Sequence, residues 1–143
     1  MSGTEPLRRH SIVLASGESE LARLAEFIDD CAAASDWPGD FAFQIRLIVE
    51  EIATNAVMHG VFDQPPPQVE IRIDDRADSV TIAISDNGRP FDPLSIPAPD
   101  VDAPLSEREV GGLGIHLVRE FADEVRYERD GRFNRLHIRK RTP

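Results

Sequence analysis

Glu51-Ile52-Ala53-Thr54-Asn55-Ala56-Val57-Met58-His59-Gly60 is the stretch on which the reading of this chain turns. Core-type residues at Phe41, Ile45, Ile48, Ile52 and Ala56 recur at helical spacing, so the stretch closes an amphipathic helix over about 39–58, ended by Gly60. Residues four apart share a helix face. Glu51 and Asn55 therefore project side by side at the edge of the apolar stripe, with His59 one turn further on. A carboxylate and an amide held beside a core suit a base working next to a metal ligand. Taken alone, such a pair is more often solvated surface, and His59 reads as the polar end of a helix rather than a ligand.

Upstream, Trp37-Pro38-Gly39 breaks the chain, with Trp37 as a packing plug. A helix over about 18–34 carries Leu21, Leu24, Ala25, Ile28, Cys31 and Ala32 on one face, with Ser16 or Ser19 as its cap. Residues 8–15 read as a strand, and residues 1–7 look loose. Downstream, Gln64-Pro65-Pro66-Pro67 is a stiff connector. Residues 68–74 and 79–85 alternate as strands of a hairpin turning at Asp75–Asp78. Asp86-Asn87-Gly88 is ordinary hairpin-turn chemistry, yet Arg89-Pro90-Phe91-Asp92-Pro93 begins no returning strand.

Residues 92–110 hold Pro93, Pro97, Pro99 and Pro104, several acids and no periodicity. Long loops of this kind serve as lids or binding loops. Gly111-Gly112-Leu113-Gly114 opens a short helix through about Ala122. Glycines there can be a flexible joint, or can let backbone N–H groups approach phosphates at the positive end of the helix. Strands over about 124–129 and 133–140 close the chain around Asp130-Gly131. The order β-α-α-β-β-loop-α-β-β implies an α/β two-layer sandwich, with a mixed, mostly antiparallel sheet and helices on one face. One domain over residues 1–143 is expected.

Composition narrows the function classes. Hydrophobic content of 41% and charged content of 29% are those of an ordinary globular protein. The net charge of −10 argues against direct nucleic-acid binding and against anionic membranes, and favours protein or small-molecule partners. Cys31 is the single cysteine, so no internal disulfide forms, and it reads as a small buried hydrophobe. No window approaches a membrane span, and the N-terminus lacks a signal-peptide core. A cytoplasmic location is the expectation.

Three segments now stand in order: Glu51…Asn55, Asp86-Asn87-Gly88 and Gly111-Gly112-Leu113-Gly114. Together they resemble the N, G1 and G2 boxes of the GHKL ATP-binding superfamily, whose Bergerat-type fold is the layered sandwich read above. P-loop and Rossmann patterns are absent. Within that superfamily the chain is similar to the anti-sigma factor serine/threonine kinases of partner-switching systems. The resemblance rests on residues 51–60, Gly112-Leu113-Gly114-Ile115, Ala122-Asp123-Glu124-Val125, and Asn134-Arg135-Leu136 with Arg139-Lys140-Arg141.

The resemblance implies binding of ATP or ADP with Mg²⁺. It implies Asn55 as the magnesium ligand, Glu51 as the general base toward a protein serine or threonine hydroxyl, and Asp86 as the adenine reader. Gly88 would let the backbone pass close to the base, and Gly111, Gly112 and Gly114 would cradle phosphates. It further implies a STAS-type anti-anti-sigma protein as substrate, a sigma factor or other regulatory client, a homodimer, and Arg23 engaging a partner. Two departures stand out: Val110 precedes the glycines where relatives often carry a basic residue, Arg108 being the nearest one, and Asn134-Arg135 fall where many carry a threonine beneath adenine. Three alternatives stay open: an ATP-gated binding module without turnover, the ATP-binding half of a histidine kinase, and a free-standing ATPase.

Overall fold

The computed structural model describes residues 6–63, 66–95 and 112–143. Its elements are β1 (Arg8–Leu14), α1 (Glu20–Ser35), α2 (Gly39–His59), β2 (Val69–Asp75), β3 (Ser79–Asp86), α3 (Gly112–Phe121), β4 (Glu124–Asp130) and β5 (Phe133–Arg141). A single 3-10 turn over Pro93–Ser95 follows β3. The five strands form one sheet in the order β1-β2-β3-β5-β4.

Every neighbouring pair is antiparallel, more uniform than the mixed sheet expected. The path after β3 explains this. The chain crosses through α3 to the far edge, lays down β4 running as β3 does, and then turns back so that β5 fills the place between them.

Alternation sorts each strand. Val69, Ile71 and Ile73 of β2, Val80, Ile82 and Ile84 of β3, and Leu136 and Ile138 of β5 are buried on one face. They meet Leu24 and Ile28 of α1, Ile45, Ile48 and Val49 of α2, and Val118 of α3. A fully buried isoleucine in such a layer contributes about 1.5–3 kcal/mol relative to an exposed one. On the opposite face Glu70 and Arg72 are exposed. Asp74, only 2% exposed, is held there by Arg9, whose Nε lies 2.8 Å from its Oδ1, and by Arg76 at 3.3 Å from Oδ2.

Three local expectations change. Ser19 stands at the N-cap of α1, but its side chain makes no capping bond. The entry is instead shaped by Gly17, whose φ of 111° suits glycine, and by Glu20, whose carboxylate accepts the Ala15 N–H at 3.0 Å. Leu7, read as part of a loose lead-in, donates its N–H to the Asp75 carbonyl at 2.7 Å. Gly60 does end α2, but in extended conformation. A Cβ there would sit 2.8 Å from the Phe62 ring, so close packing, and not a left-handed turn, demands glycine.

Trp37 does plug the gap between the helices. Its ring meets Phe41 edge-on and its Nε1 donates to Asp75 Oδ1 at 3.0 Å. Cys31 is buried on the inner face of α1. Burial, with Asp75 and Asp30 nearby, pushes its thiol from 9.0 up to about 12. The folded thiol keeps its proton where the unfolded one loses it, so its contribution to stability is complete below pH 9 and is lost as pH rises toward 12. Unfolding free energies of wild type and Cys31→Ala from urea titration should therefore converge between pH 8.5 and pH 10, by about 1 kcal/mol. Parallel curves would exclude the shift. Among the described residues no helix is long and apolar enough to cross a membrane.

Candidate functional site

The site begins with a rotation of the buried face along α2. Phe41, Ile45 and Ile48 are buried as the apolar stripe predicts, but the second half of the helix buries Val49, Ala53 and Val57. Ile52 and Ala56, expected in the core, are half-buried. A helix turns 100° per residue, so a row stepped by four drifts around the axis and cannot face one neighbour throughout. Ile52, Asn55, Ala56 and His59 form a strip that looks into a cavity of about 360 Å³. Its other walls come from Ile84 and Asp86 of β3, Leu136 and Asn134 of β5, Tyr127 of β4, Ile115 of α3 and the segments around Val61 and Gly88.

Asp86 reaches this cavity by strand periodicity. It continues the inward row of Val80, Ile82 and Ile84, placing a carboxylate at the end of an apolar strip. Its Oδ1 accepts the Gly88 N–H at 2.9 Å and an Asn134 Nδ2 hydrogen at 3.0 Å. Its Oδ2 accepts no hydrogen bond among the described residues. A Cβ on Gly88 would lie 2.9 Å from Asp86 Oδ1 and 3.1 Å from the Val61 carbonyl. Glycine is required there to seat Asp86, quite apart from any ligand.

Asn87 serves neither as a hairpin turn nor as a cavity residue. Its amide clamps the proline connector, accepting the Gln68 N–H at 2.8 Å and donating to the Pro66 carbonyl at 2.9 Å. Across the mouth, Arg89 donates its N–H to the Val61 carbonyl at 2.8 Å and pairs with Asp63 at 2.9 Å. That hydrogen bond holds the Asp63 carboxyl below its usual range.

Glu51 and Asn55 do lie one turn apart on α2, yet they face different hollows. Asn55 lines the cavity. Glu51 lines a separate depression between α1 and α2 with Leu21, Leu24, Glu50 and Thr54. Neither side chain makes a hydrogen bond or ion pair among the described residues, whereas neighbouring Glu50 pairs with Arg46 at 3.1 Å. Gly112 and Gly114 open α3 as expected. Gly111, Arg108, Val110 and most of the 92–110 loop lie outside the described residues. Arg23 projects from α1 with its side chain 54% exposed, 2.7 Å from Glu20 and reaching the Val13 carbonyl at 3.4 Å.

Tyr127, Arg129 and the Val61–Phe62 segment escape sequence reasoning, and Asn134 is legible only as a departure. Arg129 Nη1 donates to the Gly88 carbonyl at 2.8 Å. A clue was present for Asn134: it stands two residues before Leu136 on the inward face of its strand. Only the β3–β5 register shows that it sits opposite Asp86.

The donor set fits an adenine nucleotide. An apolar slot offers one open carboxylate oxygen at its end, and its wall includes Ile115 of the glycine-led helix α3. For a metal the fit is conditional. Among the described residues no group of three or more His, Cys, Asp or Glu side chains is placed to hold an ion. Asn55 would hold Mg²⁺ only in company with an anionic ligand such as a polyphosphate, which is how Mg²⁺ is commonly bound.

Comparison with known proteins gives the same picture. Residues 14–140 match the model of the histidine kinase-like ATPase domain. The chain is 26% identical over 112 residues to the serine/threonine-protein kinase BtrW of Bordetella bronchiseptica, across 78% of this chain and 79% of BtrW. It is 33% identical over 93 residues to the serine-protein kinase RsbW of Bacillus subtilis, and there the match spans 59% of this chain but only 55% of RsbW. Among solved structures, the blue-light activated histidine kinase of Erythrobacter litoralis superposes with a TM-score of 0.55 at 26% identity, over 73% of this chain and 31% of that one. With the layered sheet, the cavity over its inner face and a family model matched across almost all the described residues, the chain belongs to the histidine kinase-like ATPase domain family.

Proposed function

We propose that this chain is a protein serine/threonine kinase that uses ATP with Mg²⁺ to phosphorylate a STAS-type anti-anti-sigma antagonist. It also holds a second client, such as a sigma factor, in a mutually exclusive complex. The observation that carries this reading is the pair on α2: Asn55 in the cavity wall, and Glu51 one turn away facing the open groove beneath α1. An amide and a carboxylate so divided suit a nucleotide on one side and a protein hydroxyl on the other. The names of the relatives BtrW, RsbW and anti-sigma F factor support the reading.

Bound ATP supplies the phosphoryl group. The rest falls to this chain's residues. Asp86 Oδ2 accepts a hydrogen bond from the exocyclic amine of adenine. Gly112 and Gly114, with Gly111 beside them, present backbone N–H groups at the positive end of α3. Asn55 offers a hard oxygen to Mg²⁺. Glu51 takes the proton from the acceptor hydroxyl. Positioning and electrostatics supply most of the acceleration in such transfers. Phosphate adds about −1.5 to −2 charges to the antagonist. Against a chain of net charge −10 this weakens the complex and frees the kinase for its other client. A homodimer belongs to the same reading.

Co-purification from the native host, followed by mass spectrometry, should identify both partners. Incubating the captured antagonist with Mg-ATP should then add one phosphate to a serine or threonine. ATP-dependent binding without transfer would instead favour a binding module. Phosphate release with ATP alone would favour an ATPase. Arg23→Ala should weaken antagonist binding about ten-fold, as loss of an energetically dominant interface arginine does. ADP affinity and melting temperature should stay put, because exposed ion pairs contribute about 0–1 kcal/mol. Unchanged antagonist affinity would remove Arg23 from the interface.

A further inference from the structure

Antiparallel pairing of β3 with β5 puts Asn134 directly across from Asp86. Asn134 is 6% exposed. A side-chain amide has two N–H donors and an oxygen with two lone pairs. All four are engaged. Nδ2 donates to Asp86 Oδ1 at 3.0 Å and to the Arg89 carbonyl at 2.8 Å, with the Gly88 carbonyl at 3.5 Å. Oδ1 accepts the Phe91 N–H at 3.1 Å and the Tyr127 hydroxyl at 2.6 Å. The amide thus ties together the end of β3, the segment through Phe91 that walls the cavity, and the edge strand β4.

We infer that Asn134, oriented by Tyr127, is the positioning residue that makes the nucleotide site selective for adenine over guanine. The inference rests on Asp86 being the adenine reader. Asn134 has no hydrogen-bonding capacity left for a ligand, so it acts through Asp86. Its Nδ2 and the Gly88 N–H together saturate Oδ1. The carboxylate cannot turn without breaking one of these bonds, which leaves Oδ2 as a fixed acceptor. Adenine presents a donor to that acceptor, whereas guanine presents a carbonyl oxygen. A carboxylate free to rotate could draw back and admit a water molecule between itself and that carbonyl. A pinned one cannot.

A hydroxyl at position 134 could reach Asp86 but could not also bridge Arg89 and Phe91. Selectivity here comes from a clamp on the reader. Tyr127 is part of the clamp, since its hydroxyl fixes which end of the amide faces Asp86.

The test is calorimetry on the full chain with Mg-ADP, Mg-GDP and the diphosphate of purine riboside, which lacks the exocyclic amine. Wild type should bind ADP about ten-fold or more tighter than either competitor. In Asn134→Ala, ADP should weaken about ten-fold while the amine-free nucleotide changes less than about two-fold, so the preference collapses. A purely structural role would weaken both equally, and that result would overturn the inference. Tyr127→Phe removes one hydroxyl and keeps the amide. It should cut the preference about three-fold even where Asn134→Ala fails to fold, and a preference kept intact in Tyr127→Phe overturns the inference too. Wild type that binds none of the nucleotides would overturn the nucleotide reading itself. Wild type that prefers ADP, with both variants equally selective, overturns only the role of Asn134 and Tyr127.

Discussion

Glu51→Ala should slow phosphate transfer to the antagonist by about 10²–10⁴-fold, the usual range for a lost general base. ADP affinity should change less than about two-fold, because Glu51 does not line the cavity that holds Asn55 and Asp86 and has no hydrogen bond or ion pair to give up among the described residues. That separation is what makes the variant informative. Glu50 offers the contrast: it is tied to Arg46 at 3.1 Å, so Glu50→Ala should leave the rate within a few-fold, about the level of an exposed helix ion pair. Single-turnover transfer, followed by mass spectrometry of the antagonist, measures both. If Glu51→Ala transfers at the wild-type rate, Glu51 is not the base.

Asp86→Asn should weaken ADP binding by about 10–100-fold, the span expected when a hydrogen bond to a charged group is lost. The substitution preserves shape, so the fold should hold. The introduced amide can keep one oxygen on the Gly88 N–H and Asn134, as Asp86 Oδ1 now is. It then turns an NH₂ group toward the base, where adenine also presents a donor. Guanine presents an acceptor at that place, so GDP should gain while ADP loses. Calorimetry with both nucleotides reads the ratio. An unchanged ADP:GDP ratio would mean that the base does not sit against Asp86.

Much of the architecture was legible because short-range chemistry wrote it. Alternation in residues 68–74 and 79–85 marks two half-buried strands, and both form within a residue of those bounds, as Val69–Asp75 and Ser79–Asp86. Trp37-Pro38-Gly39 separates two helices whose bounds follow the apolar spacing closely. The candidate site was legible in part. Glu51, Asn55, Asp86 and the glycines stand out through residue type and order, and the cavity does gather Asn55, Asp86 and Gly88. The division of Glu51 from Asn55 into separate hollows was not legible, because a shared helix edge does not reveal which neighbours lie across it. Ile52 and Ala56 read as core for the same reason: periodicity reports that a residue is apolar, not whether another side chain or an open slot faces it.

The elements, their order and the chemical kit follow from the amino-acid order alone, because helix spacing, strand alternation and turn residues act within a few positions of one another. Which of those groups are free to act depends instead on contacts between segments far apart in the chain. Asp86 and Asn134 are 48 residues apart and meet only through the β3–β5 register. That meeting occupies one oxygen of Asp86 and leaves the other open, and no local pattern in either strand encodes it. Long-range pairing depends on how the whole layer closes over its core, so it emerges when the sheet is assembled.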